Sequence, residues 1–363
     1  MEISRDESTI MKGLAILFIA LHNFFHLERF GFLQENETLF DINRSHEMIS
    51  YLLDPNVYFL CNLFSFIGWC GVPLFVFLSG FGLVKKYEKN HKPIESKSYI
   101  TYNYIKLFHL VLPGALFFII LQVSQGNWLR VGFSVFSLTF TNTLLGFFKS
   151  IPSAAPPYWY FSLTFQLYLI YLLFNRLKND SLLYVLFIIF LLLYLVINPI
   201  FGIDQKWLRY IRLNSFGWLP VFITGILFAR EPKRWAFLPN TKILLICCVI
   251  ISFILLFLTN LNYYSWVLMP FVAVVFFLCA GILINKIRIL REMIIPLGKI
   301  SPFIFVGHPI ALFLLQVFLD YQTIYVFSSP WLATFYGFLY IALFISIALI
   351  YKMIHSLMIN ISK

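Results

Sequence analysis

Charge is scarce in this sequence. Only 12% of its 363 residues are Asp, Glu, Lys or Arg, about half the roughly 25% usual in soluble domains. No Asp or Glu falls inside any stretch long and apolar enough to cross a membrane. The five cysteines (Cys61, Cys70, Cys247, Cys248 and Cys279) lie mostly within apolar stretches and lack C-x-x-C spacing, so they read as packing residues. No internal repeat is evident, no soluble domain is appended, and the apolar-polar alternation of a membrane β-barrel is missing. What is there is 60% hydrophobic and 20% aromatic, with a mean hydropathy of +0.84. That composition excludes a soluble globule, disorder, coiled coil and collagen. It predicts an all-α, polytopic integral membrane protein, a single membrane-embedded domain over 1–363.

A membrane-crossing helix needs about 20 apolar residues. Ten segments qualify: 11–28, 57–84, 99–122, 157–175, 182–200, 214–229, 242–259, 264–284, 297–319 and 331–351. The first is not a cleavable signal, because Glu28-Arg29 follows it without a small-x-small site. The stretch 128–149 is apolar but broken by Gly and polar residues, and reads as an interfacial helix; an eleventh span is the alternative. With ten spans and both termini cytoplasmic, nineteen of the 27 Lys and Arg fall on the inner side and seven on the outer, while the acids divide evenly. A bias confined to Lys and Arg is the positive-inside rule. The net charge of +11 is thereby explained by topology and anionic lipid, and no nucleic-acid partner is expected. Asn36-Glu-Thr and Asn43-Arg-Ser match the glycosylation pattern, which is common by chance. The outer connections 29–56 and 123–156 are the longest, and long loops are often functional.

Ionisable groups at membrane depth are costly and mark function. Glu28 and Asp320 sit only at outer ends of spans, and the lack of intramembrane carboxylates argues against an ion-coupled transporter. His22 lies ten residues beyond Lys12, about 15 Å along a helix, near the midplane. His308 lies nine beyond Lys299, at about 13 Å. Two histidines from separate spans thus reach similar depth. His26 is one turn past His22 on the same face, Lys106 and His109 share a face of the third span, and Gln166 lies nine residues into the fourth. A buried imidazole can shuttle protons near neutral pH; alternatively it is structural and bonds a neighbouring helix. A metal site from His22, His26 and His308 is conceivable, but no clear fourth ligand accompanies them, and no metal is expected.

Four segments resemble the acyltransferase-3 family, in its order. Met11-Lys-Gly-Leu-Ala-Ile-Leu-Phe-Ile-Ala-Leu-His22 is similar to the family's first span, which has a basic residue at the cytoplasmic end and a histidine three turns later. Gly71-Val-Pro-Leu-Phe-Val-Phe-Leu-Ser79-Gly80-Phe81 closely resembles its G-V-x-L-F-F-x-x-S-G-F signature, with Val76 at the second Phe. Tyr158-Trp159-Tyr-Phe-Ser-Leu-Thr-Phe-Gln166-Leu-Tyr168 resembles its W-[FY]-[LI]-x(5)-[FL]-Y motif, and Leu297-Gly-Lys-Ile-Ser301-Pro-Phe-Ile-Phe-Val-Gly-His308-Pro309 its L-G-x-x-S-Y-x-I-Y-L-x-H-x-P. Two departures stand out. The usual Arg of span one is Lys12, and the paired arginines after span two become Lys106-Leu-Phe-His109. Both keep the potential for positive charge and lose the bidentate fork for phosphate.

The resemblance implies transfer of an acyl group, acetyl by preference, from cytoplasmic acyl-CoA to a hydroxyl of a surface polysaccharide or lipid-linked glycan precursor in the bacterial inner (plasma) membrane. No permanently bound cofactor is expected; acetyl-CoA is a co-substrate. In this scheme His22 is general base or transient acyl carrier, and His308 or Gln166 orients it or stabilises the oxyanion. Lys12, Lys85, Lys86, Lys106 and His109 would hold the anionic donor, with Ser79 and Gly80 serving either donor binding or close helix packing. Trp159 and Gln166, with the outer loops, would hold the acceptor. Two other readings stay open. One is the membrane-bound O-acyltransferase superfamily, whose histidine lies toward the C-terminus as His308 does. The other is a transporter or flippase of the lipid-linked glycan.

Overall fold

The structure is a computed structural model. It describes residues 3–27, 32–88, 94–145, 155–177, 179–201, 205–233, 239, 241–319 and 330–361. All regular structure among them is helical. Fifteen α-helices follow in order: α1 Arg5–Phe25, α2 Ile42–Leu53, α3 Phe59–Ile67, α4 Gly71–Tyr87, α5 Ser96–Ser124, α6 Trp128–Ser137, α7 Asn142–Leu145, α8 Trp159–Leu177, α9 Asp180–Phe201, α10 Gln205–Leu213, α11 Ser215–Arg230, α12 Lys242–Leu258, α13 Tyr263–Asn285, α14 Arg288–Leu319 and α15 Pro330–Ile361.

Nine helical stretches among the described residues are long and apolar enough to cross a membrane, and the protein is an all-α integral membrane protein. Their outer surfaces carry the side chains lipid requires, such as Ile188, Leu192 and Leu193 on α9 and Ile243, Ile250 and Ile254 on α12, all exposed. The remaining expected span, 157–175, is present as the 19-residue α8, which rises about 28 Å. Ser162, Thr164, Gln166, Asn175 and Arg176 make it less apolar than the nine. The stretch 128–149 contains α6 and α7, of 10 and 4 residues. At 1.5 Å per residue the longer rises only ~15 Å, so neither is an eleventh span. Glu28 and Asp320 lie outside the described residues.

The residues form two compact units: 76–238, and 3–75 with 239–363. In the second, α1 packs on α14, α13 and α3, and α14 on α15. Glycines set these crossings. A Cβ on Gly298 of α14 would lie 1.9 Å from the Thr9 carbonyl oxygen, and one on Gly13 of α1 would lie 2.6 Å from the Ile294 carbonyl oxygen. The α1 and α14 backbones therefore touch, as small residues allow between membrane helices. Ser4 and Glu7 close a capping box on α1, and Arg291 of α14 donates to Asp6 at 2.5 Å.

Two features escape a hydropathy reading. The second span is broken: α3 ends at Ile67, Gly68–Cys70 forms a 3₁₀ turn, and α4 starts at Gly71. The described part of the connection after α1, from residue 32 on, is also structured and carries α2. Asn36 is fully buried there; its Nδ2 donates to Ser45 Oγ at 2.9 Å and to the Asp41 carbonyl, and its own carbonyl accepts the Trp266 indole N–H at 2.7 Å. Ser45 Oγ reaches the Asn260 carbonyl at 2.6 Å. A side chain so enclosed excludes glycosylation at Asn36.

The unit 76–238 is held by a different device. Arg230 at the end of α11 donates Nε and one terminal nitrogen to the two Glu88 oxygens, both at 2.8 Å, and the other terminal nitrogen to Asp180 Oδ1 at 2.7 Å. This bidentate geometry suits guanidinium and not ammonium.

Candidate active site

His22 occupies the last turn of α1. Counting depth from Lys12 predicts a place near the midplane. The helix begins seven residues before Lys12, at Arg5, so His22 comes about 26 Å along it and close to its C-terminal end. The side chain is buried, with 5% of the residue exposed. Its Nδ1 lies 2.9 Å from the Ser65 carbonyl oxygen. A carbonyl can only accept, so Nδ1 carries the hydrogen and the neutral ring keeps its lone pair on Nε2. Ser65 is in the last turn of α3, where carbonyls leave the helical ladder. The break that ends α3 also brings α1 close: a Cβ on Gly68 would lie 2.6 Å from His22 Cβ, and one on Gly71 would lie 2.5 Å from the Ala15 carbonyl oxygen. Gly68 and Gly71 thus position the backbone that fixes the His22 tautomer.

Two groups join His22 beyond the C-terminal end of α1. His26, the C-cap of α1, stacks on it with ring centroids 4.8 Å apart. His26 Nδ1 then meets Glu35 Oε2 at 2.7 Å. Glu35 is buried, its backbone carbonyl held by Arg44 at 2.5 Å. Burial alone would push its carboxyl up, but the His26 hydrogen bond and the nearby histidine charges outweigh this and hold it at about 2. Glu35 is therefore an anion beside two imidazoles. Sequence spacing places His26 on the face of His22 and gives no reason to single out Glu35.

His308 is fully buried in α14 and repeats the pattern. Its Nδ1 meets the Ile304 carbonyl at 3.2 Å, leaving Nε2 as the lone-pair nitrogen, with no hydrogen-bond partner among the described residues. It lies within Coulombic range of His22. Tyr340 of α15 donates to the His308 backbone carbonyl at 3.4 Å and stacks on Phe24 of α1, centroids 4.8 Å apart. The two histidines belong to one packed cluster of α1, α14 and α15.

His22, His26 and Glu35 each offer one ligand atom within 4.8 Å of the others, a donor set a divalent cation can use. The arrangement as it stands is a His26–Glu35 hydrogen-bonded pair beside His22. Two ligands of one tetrahedral zinc ion at ~2.1 Å sit ~3.4 Å apart, and the 2.7 Å between His26 and Glu35 is a hydrogen-bond distance.

Lys12 is half-buried on α1, in the same unit as the histidines. The other expected residues lie in the unit 76–238. Gly80 makes a helix crossing: a Cβ there would lie 2.4 Å from the Phe222 carbonyl oxygen, and one on Gly225 would lie 2.1 Å from that of Phe77. Close packing therefore accounts for Gly80, with Ser79 half-buried beside it. Lys85 Nζ stands 5.3 Å from the Phe81 ring, and Lys86 Nζ lies 4.2 Å from the ring of Tyr102, one turn before the exposed Lys106. His109 follows Lys106 on α5, half-buried. Trp159 is half-buried at the start of α8. Gln166 is buried and occupied: its Nε2 donates to Thr143 Oγ1 and Asn214 Oδ1, and its Oε1 accepts from the Ser215 N–H. This network ties α7, α8 and α11 together.

A family model described as an acyltransferase domain matches residues 6–351. No curated protein and no solved structure matches the chain.

Proposed function

The chain belongs to this acyltransferase family, and from that premise we propose that it moves an acyl group, acetyl by preference, from cytoplasmic acyl-CoA to a hydroxyl of a surface polysaccharide or lipid-linked glycan precursor, in the bacterial plasma membrane. The observation that carries the chemical part is the His22 imidazole, buried, with Nδ1–H pinned to the Ser65 carbonyl at 2.9 Å. A ring so held presents Nε2 as a base of fixed orientation.

In the reaction, His22 Nε2 takes the proton of the acceptor hydroxyl as its oxygen attacks the thioester carbonyl. The tetrahedral intermediate collapses with cleavage of the C–S bond, and the imidazolium returns the proton to the departing thiolate. The products are an ester and the CoA thiol. Glu35, an anion beside His22 and His26, stabilises the imidazolium while it exists. His308 Nε2 is an acceptor in its neutral tautomer, which suits it to hold a second, non-reacting hydroxyl of the acceptor rather than donate to the oxyanion. Within the unit 76–238, Lys85, Lys86, Lys106 and His109 supply positive charge for the phosphates of CoA; Lys12 is a further cation in the unit that holds His22.

The test is thioester consumption by the purified chain in lipid nanodiscs, read as free thiol released from acetyl-CoA, together with the O-acyl content of surface glycans from cells with and without the gene. Thiol release that His22→Ala abolishes, and O-acyl groups lost with the gene, are expected. Absence of thiol release from any acyl-CoA would overturn the proposal.

A further inference from the structure

The acceptor must approach His22 from somewhere, and the outer connection after α1 holds a groove that the scheme above leaves unused. It has a volume of about 720 Å³ and is lined by Leu33, Asn43, His46, Glu47, Ser50 and Tyr51. It is shallow and open to solvent along most of its extent, so it can seat one face of a ligand rather than enclose it. Five of the six residues come from α2, at positions i, i+3, i+4, i+7 and i+8. They form one face of one helix.

The opposite face of α2 is fixed. Ser45 and Met48 are buried, Ser45 is bonded to Asn260, and Arg44 is bonded to Glu35. The groove face is thus presented on a rigid support, with Asn43, His46, Glu47 and Ser50 exposed. Tyr51 is held in place by its hydroxyl, which donates to Asn56 Oδ1 at 2.6 Å, and by its ring, parallel to that of Phe59. A carboxylate, an amide, an imidazole and a hydroxyl around an aromatic wall are the groups that recognise a pyranose: the polar atoms bind hydroxyls, and the ring covers an apolar sugar face.

The groove is also wired to the base. Leu33 lines it, and Ser65 Oγ donates to the Leu33 carbonyl at 2.6 Å, while the Ser65 carbonyl takes the His22 Nδ1–H. One serine spans the distance from groove wall to imidazole. The Leu33 N–H is fixed as well, by Asn62 Oδ1 at 3.0 Å.

We propose that the Asn43, His46, Glu47, Ser50 and Tyr51 face of α2, with Leu33, is the acceptor subsite, and that it binds a neutral pyranose unit of a glycan from the outer side. The inference rests on acyl transfer to a glycan, so its test separates the two. Sugar binding is read without any acyl donor, by saturation-transfer difference NMR of the full chain in nanodiscs with the methyl pyranosides of glucose, galactose and N-acetylglucosamine. Wild type gives a transfer signal with at least one of them, and Glu47→Gln and Tyr51→Ala each reduce it about fivefold or more. The exposed Trp331→Ala, on α15, leaves it unchanged. Tyr51→Phe, which keeps the ring, retains most of the signal. No signal from wild type, or equal signals from wild type, Glu47→Gln and Tyr51→Ala, overturns the subsite. Thiol release from acetyl-CoA, measured on the same preparations without sugar, reports separately on acyl transfer. A chain that binds sugar but releases no thiol keeps the subsite and loses the reaction.

Discussion

The ring of His26 lies nearly flat on that of His22, with planes inclined by 22° and centroids 4.8 Å apart, while its Nδ1 points away to Glu35 at 2.7 Å. His26 therefore stands between a buried anion and the proposed base. Its place at the C-cap of α1 puts it where the chain turns to bring Glu35 back.

His22→Ala should reduce acyl transfer at least 100-fold with little loss of folded protein, because Cβ, the atom nearest Gly68, is retained. Thiol release and thermal unfolding, measured on the same sample, check both halves. Residual activity above a tenth of wild type would remove His22 from the role of base. His308→Ala should be milder, about tenfold, if His308 only orients the acceptor.

Glu35→Gln should destabilise the fold at neutral pH by on the order of 2 kcal/mol. The Glu35 carboxyl is held at about 2, below its ordinary 4.5. A group whose folded value is depressed contributes stability that is complete above the unfolded value and is lost as pH falls through the folded one. The melting temperatures of wild type and Glu35→Gln should therefore differ most above pH 4.5 and converge as pH approaches about 2. A difference independent of pH would show that the ionised carboxylate is not what stabilises.

Lys12→Ala and Lys106→Ala should mainly raise the apparent KM for acyl-CoA, by about three- to tenfold, since the loss is of charge facing an anion. Lys12→Arg should be tolerated. The effect should shrink at high salt, and a defect confined to the acceptor KM would contradict the donor assignment.

Gly298→Ala and Gly80→Ala should each cost about 3 kcal/mol or prevent folding, because their new methyl groups would meet backbone oxygens at 1.9 and 2.4 Å, and backbone cannot move aside as a side chain can. Gly82→Ala, inside α4 with nothing within 4 Å, should cost nothing and raise stability by up to about 1 kcal/mol. Folded yield and unfolding temperature in detergent measure the contrast. Equal behaviour of Gly80→Ala and Gly82→Ala would refute the close crossing.

How much of this the sequence reveals depends on the range of each signal. Hydropathy is a property of 20-residue windows, so the spans are legible, including α8, whose Gln166 weakens the signal without hiding the helix. A break of three residues at Gly68–Cys70 leaves the window average intact and goes unseen. The i,i+4 relation puts His26 with His22 because both are on one helix. Glu35 returns to them through nine further residues of connection, and its position is set by Asn36, Arg44 and Trp266, contacts no local pattern announces. Ser79-Gly80 is legible as a motif, yet the motif does not announce the helix crossing that Gly80 makes at the Phe222 carbonyl. The even split of acids between inner and outer segments likewise gives no weight to Glu35 over its neighbours.

The pairing of α1 with α14 bears on how the protein is made. His22 and His308 are separated by 286 residues, and the unit that contains them joins 3–75 to 239–363. At roughly 5–20 residues per second of synthesis, about 15–60 s pass between emergence of the first histidine and the second. Throughout that interval Gly13 and the imidazole of α1 lack the helix that will cover them, and a polar ring waits in the bilayer without its final neighbours. Biogenesis of this chain is therefore non-sequential: its first helix is inserted early, completed last, and exposed in between to whatever insertion factor or lipid can shield a histidine.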